Sequence, residues 1–128
     1  MKRRKGIDNA LDIAWSKLVK YQAGSKCEYC GKETHLNSHH IYSRSKKSTR
    51  WDVLNGICLC VSHHVFSSTF SAHKTPLEFV RWLEEYKGID NLEELTFKAH
   101  QTLKLAKHEK EEMLEEINKS IKYYETKV

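Results

Sequence analysis

The chain has 128 residues and a formal net charge of +5, with 39% hydrophobic and 30% charged residues. That length suits one domain, or one domain with an appendage, whose small core would gain from a metal staple. No apolar run could cross a bilayer, and the basic start MKRRKGIDNALDIAW has no apolar segment behind it. No membrane partner and no signal peptide are therefore expected, and the expected location is cytoplasmic.

The charge is unevenly placed. Residues 1–50 carry 12 Lys/Arg against 4 Asp/Glu, whereas residues 51–128 carry 10 against 13. A basic first half points to a polyanionic partner, nucleic acid first, with plain solubility as the bland alternative.

In chain order, residues 2–5 (KRRK) read as a basic arm. Asp8 to Tyr21 reads as a helix, because Ile7, Leu11, Ala14, Trp15, Leu18 and Val19 recur at helical spacing and Gly24 is a plausible stop. CEYCGKE reads as a tight cysteine turn. Residues 36–43 and 53–59 are strand candidates, with the polar basic loop RSKKSTR between them, and a short helix begins after Cys60. Thr75 and Pro76 are an N-cap and first helical residue, and the helix they open runs to a stop at Gly88.

Asp90 or Asn91 caps a short turn. One long helix is then expected from about Thr96 to Tyr124, with Phe97, Leu103, Ala106, Met113, Leu114, Ile117, Ile121 and Tyr124 as its stripe. The face HEKEEMLEEINKS reads as solvated, but the stripe could also pack on a second copy to make a homodimer. Trp15, Trp51 and Trp82 read as core. His35, His100 and His108 read as surface residues.

Four cysteines, Cys27, Cys30, Cys58 and Cys60, stand close to histidines. In a reducing cytosol such a cluster more often binds metal than forms disulfides. Cys27-Glu28-Tyr29-Cys30 is a C-x-x-C, and Cys60-Val61-Ser62-His63 is a C-x-x-H. Two tight-turn pairs can complete a four-coordinate structural zinc site with Cys27, Cys30, Cys60 and His63. Two alternatives compete. A thioredoxin-like C-x-x-C should open a helix after a strand, but strand, strand and helix follow here instead. Cys58 could replace Cys60, but only Cys60 stands three residues from His63, and Cys58 then reads as a small buried apolar residue.

Other histidines are left over. His40 is followed fifteen residues on by Asn55, and Asn55 nine residues on by His64. With His39-His40, Asn55, Cys60-x-x-His63-His64 and Cys27-x-x-Cys30-Gly31 in this order, residues 26–66 resemble the HNH nucleases of the ββα-metal (His-Me finger) superfamily. The longer stretch RSKKSTRWDVLNGICLC to FSAHKTPLEF is similar to small phage-type HNH proteins.

The resemblance implies an α+β fold with a ββα-metal core, a structural zinc knot, an N-terminal helix and C-terminal helices. It implies a division into residues 1–25 (basic arm and helix), 26–75 (nuclease core) and 76–128 (helical extension). It also implies a metal-dependent endonuclease acting on duplex or branched DNA, of phage or mobile-element type, working in the host cytoplasm if phage-encoded.

The chemistry of the residues stands beside that resemblance. A neutral imidazole is a suitable general base near pH 7, and an ion held by two or three protein ligands keeps room for phosphate and water. His40 is thus the expected base, and His39 and His64 are metal ligands. The expected catalytic ion is Mg2+ or Mn2+, with Zn2+ or Ni2+ as further options. Asn55, by the resemblance, orients the loop and the base.

The family often has a third ligand four residues after the second histidine, where this chain has Ser68. His73 is the substitute candidate. Arg44, Lys46, Lys47 and Arg50 are the expected phosphate contacts. The competing function is a non-catalytic zinc module that binds nucleic acid or protein, which would not need His39, His40 and Asn55 together. A nucleobase deaminase is excluded, because no His-x-Glu stands ahead of a Pro-Cys-x-x-Cys.

Overall fold

A computed structural model describes residues 6–127; the basic arm at residues 2–5 lies outside them. The first helix, α1 (Ile7–Gln22), buries Leu11, Ala14, Trp15, Leu18 and Val19, the stripe read from its sequence. Strands β1 (Leu36–His40) and β2 (Gly56–Cys60) pair antiparallel, with His39 opposite Ile57 and His40 opposite Gly56. Both strands differ from the expected spans. β1 stops at His40 because the next residues pair with Asn55 instead, and a 3-10 turn at Val53–Asn55 precedes β2. Asp52 caps that turn by accepting from the Leu54 N–H at 2.9 Å.

The sheet is covered on both faces. On one, α1 packs against Cys58 with Trp51, and the Ser38 hydroxyl donates to the Ser16 carbonyl at 2.7 Å. On the other, Ile57 and Leu59 join Phe70, Ala72, Phe79 and Leu83. The approach of α1 explains Gly56: a Cβ there would lie 2.4 Å from Val19 Cγ2 and 3.0 Å from Trp15 Cζ2.

After Cys60 a single π turn spans Ser62–Phe66, followed by α2 (Pro76–Lys87), α3 (Ile89–Ala99) and α4 (Lys107–Thr126). The helix at Pro76 starts where expected, but the Thr75 hydroxyl bonds back to Ser71 rather than capping it. Gly88, at φ 89°, ends α2 and opens α3 in one residue, so the expected short turn at Asp90–Asn91 is instead the start of a helix.

The expected long helix from Thr96 is two helices. α3 buries Leu95 and Ala99 and then ends, leaving Phe97 67% and Leu103 40% exposed. Residues 102–106 form no regular element, and Leu105 packs there on the α1 cluster. Glu109 restarts the helix by accepting from the Ala106 N–H at 3.0 Å. Packing of Leu105 outweighs the helical propensity of the segment.

α4 lies along α1 in the same direction, with Lys110 on Asp8 at one end and Lys17 on Glu125 at the other. Its buried Ile117 and Ile121 pack within the chain. Trp15 and Trp51 are buried, whereas Trp82 is half-buried among aromatics. His35, His100 and His108 are exposed. The architecture is α+β, helices around a two-stranded sheet, and among the described residues no helix is long and apolar enough to cross a membrane.

Candidate metal centres

The cysteine turn folds as its sequence suggests: the Gly31 N–H donates to the Cys27 carbonyl and the Cys27 N–H to that of Lys32, each at 2.8 Å. The π turn then brings His63 to it. Cys30 Sγ and Cys60 Sγ are 3.8 Å apart, Cys60 Sγ and His63 Nδ1 3.3 Å, and Cys27 Sγ and His63 Nδ1 4.0 Å. A tetrahedral ion with Zn–S near 2.3 Å requires sulfurs about 3.8 Å apart, so the four residues fit a structural zinc. All four ligand atoms lie within 4.8 Å of one another.

Burial opposes ionisation of Cys27, but the backbone N–H groups of Cys60, Cys30 and Tyr29 outweigh it and bring its pKa down to about 7. Burial and the neighbouring thiols push Cys30 up, a repulsion that a cation reverses. Burial, then the Glu28 carboxylate, pushes Cys58 up to about 11. Cys58 sits against α1 instead of joining the cluster, as expected for an apolar filler.

Two residues inside the C-x-x-C also serve. Glu28 accepts from the Cys58 N–H at 2.7 Å and from the Tyr86 hydroxyl at 2.8 Å, tying the turn to β2 and α2. Tyr29 stacks on Phe70 and meets His63 edge-on.

A second cluster lies beside the first. His39 Nδ1 and His73 Nε2 each stand 3.1 Å from His64 Nε2. A single ring nitrogen carries either one hydrogen or one lone pair, so His64 Nε2 cannot fully satisfy both neighbours. Three lone pairs on one cation would. The 3.1 Å spacing falls between the values of about 3.0 Å and 3.4 Å that octahedral and tetrahedral sites with metal–nitrogen bonds near 2.1 Å require. Among the described residues His64 Nδ1 is enclosed with no hydrogen-bond partner.

His73 arrives through backbone pairing: the Ala72 N–H donates to the His63 carbonyl and the His73 N–H to the His64 carbonyl. Burial, followed by the charges of His64 and His73, lowers the His39 pKa to about 3, and burial likewise lowers that of His64. His39 and His64 are therefore neutral lone-pair donors at neutral pH.

His40 leaves the strand on the other face. Its ring lies flat on Trp15, and its Nε2 is 2.9 Å from the Arg50 carbonyl. A carbonyl only accepts, so Nε2 carries the hydrogen and the Nδ1 lone pair is left available. Burial lowers the His40 pKa, against the pull of the Arg50 carbonyl.

Asn55, fully buried, accepts from the Tyr42 N–H at 2.7 Å and donates to the Tyr42 carbonyl at 3.0 Å, locking the chain just after His40. The basic loop is less free than its sequence suggests. Arg50 forks onto Asp12, with Nε to Oδ1 at 3.0 Å and Nη2 to Oδ2 at 2.8 Å, while the half-exposed Arg44 reaches Oδ2 at 3.1 Å. Lys46 and Lys47 are exposed. Asp12 also accepts from the Trp51 indole at 2.8 Å, a role that its place beside the apolar stripe of α1 did not signal. No family model, curated protein or solved structure matches the chain.

Proposed function

We propose that the chain is an HNH-type metal-dependent endonuclease that hydrolyses DNA phosphodiester bonds, of the kind found in phages and mobile elements. In this reading β1, β2 and the turn carrying His63 and His64 form the ββα-metal unit. The observation that carries it is the division of labour between neighbours: His39 joins His64 and His73, while His40 is held by its Nε2 with Nδ1 free to take a proton.

The donor set of His39, His64 and His73 fits a divalent ion, and such an ion supplies Lewis acidity toward a phosphate oxygen. His40 Nδ1 accepts a proton from water as the water oxygen bonds to phosphorus. The bond from phosphorus to the leaving oxygen breaks, and that oxygen takes a proton from solvent to end as a hydroxyl. The Arg50 carbonyl and the Trp15 face hold the base in orientation, and Asn55 fixes the loop from which Arg44, Lys46 and Lys47 can meet phosphates.

The test is nicking of supercoiled plasmid with titrated Mg2+ or Mn2+. His40→Ala should lose about 100-fold or more in rate while keeping its zinc. Full activity in that variant overturns the assignment of the base. Plasmid that stays supercoiled with every divalent ion, despite tight binding, would favour a non-catalytic zinc module.

A further inference from the structure

Two cavities flank the basic loop and share Lys47. One, of about 270 Å³, is lined by Lys47, Trp51, Lys104 and Lys110. The other, of about 350 Å³, runs from Lys46, Lys47 and Ser48 to the linker between α3 and α4. Neither is lined by an acidic residue. Lys110 is paired with Asp8, but among the described residues Lys46, Lys47 and Lys104 have no acidic partner. Clustered cations without counter-charge repel one another and attract an anion.

The cavity walls add neutral donors. The N–H groups of Thr102, Leu103, Lys104 and Leu105, residues of the cavity walls, make no backbone hydrogen bond to a described residue. Trp51 is only 5% exposed and its indole N–H is held by Asp12, so it forms a floor and offers no face for a base to stack on. Charge and amide donors without a stacking platform match phosphate, and two cavities that share Lys47 match a run of phosphates.

We infer that the cleft between the basic loop and the α3–α4 linker, with Lys104 as its key cation, grips the phosphate backbone of duplex DNA. This rests on the nuclease reading and extends it. The basic loop runs from Arg44 to Arg50, whose carbonyl holds the His40 ring, and the next residue, Trp51, lines the first cavity, so one short segment ties the cleft to the proposed base.

The test measures binding of a fluorescent duplex by the zinc-loaded full chain, without added Mg2+, over a range of salt concentrations. Lys104→Glu, and the pair Lys47→Gln with Lys104→Gln, should each raise Kd several-fold. The pair should also flatten the plot of log Kd against log salt by about 2, as expected for two lost phosphate contacts. Zinc content and thermal midpoint serve as folding controls, and both should match wild type.

Unchanged Kd and slope in both variants overturn the cleft, even where plasmid nicking stays intact. Loss of pyrophosphate binding with duplex binding unchanged also overturns it, by making the ligand a free phosphate. Weakened duplex binding in a protein that never nicks supports the cleft and fails the nuclease reading instead.

Discussion

The imidazole of His40 lies flat on the indole of Trp15, with ring centroids 3.8 Å apart and planes within 9°. The stack forms because α1 descends onto the sheet at Gly56, the residue paired with His40 across the strands. Backbone packing thus sets the orientation of the proposed base.

Gly56→Ala should therefore act on both stability and site. Its Cβ would meet Val19, a stiff branched side chain that is only 3% exposed. A cost of about 1–3 kcal/mol is expected, together with weaker nicking as Trp15 is pushed off His40. Adding Val19→Ala should return part of both losses, giving a non-additive cycle in urea denaturation. Additive losses would show that the two positions do not compete for space.

Zinc content distinguishes the cysteines. Purified wild type should hold one tightly bound zinc at the knot, and Cys58→Ala should hold the same amount. Cys60→Ala and Cys27→Ala should lose it and lose cooperative unfolding, because binding free energy at such a site is folding free energy. Zinc release measured with a chromogenic chelator settles it. A Cys58→Ala protein without zinc would reverse the assignment of Cys60.

The knot was readable because its spacing is local. Cys27 with Cys30, and Cys60 with His63, are each brought together by one turn, so sequence distance translates directly into geometry. The stripe of α1 and the stop at Gly88 were readable for the same reason. His73 could be named only as a substitute, since its approach depends on backbone pairing between residues 63–64 and 72–73. Asp12 and Glu28 gave no signal, because their partners stand more than twenty-five residues away. The break at residues 100–106 has neither Gly nor Pro to announce it; there the partly buried Leu105 turns onto the α1 cluster.

Asp12 is expected to be a structural hub. Its carboxylate joins α1 to Arg50 and Trp51, and the Arg50 side chain is only 11% exposed. Asp12→Asn should lower stability by about 2–4 kcal/mol, since it leaves the Arg50 charge with little compensation. Arg50→Ala should cost a similar amount, and the double variant should cost much less than the sum. Urea midpoints of the zinc-loaded proteins measure this. Additivity would mean that the fork contributes nothing as a pair.

Acid should act through His39. Its folded pKa is lowered to about 3 by burial first and then by His64 and His73, while an unfolded histidine titrates near 6.5. Below pH 6.5 the unfolded chain therefore binds the extra proton, and the stability contributed by neutral His39 is lost as pH falls toward the folded value. The slope from this residue should approach about 1.4 kcal/mol per pH unit. Wild type without an ion on the histidine trio, compared with His39→Asn over about pH 7 to 5.5, should lose stability the more steeply. Above that window the two curves should run parallel, because His39 is then neutral in both states. An ion on the three histidines should steepen the acid limb further, since protons compete with it for the same lone pairs. Equal slopes for the two proteins, with the zinc knot still loaded, would show that His39 is not buried in its neutral form.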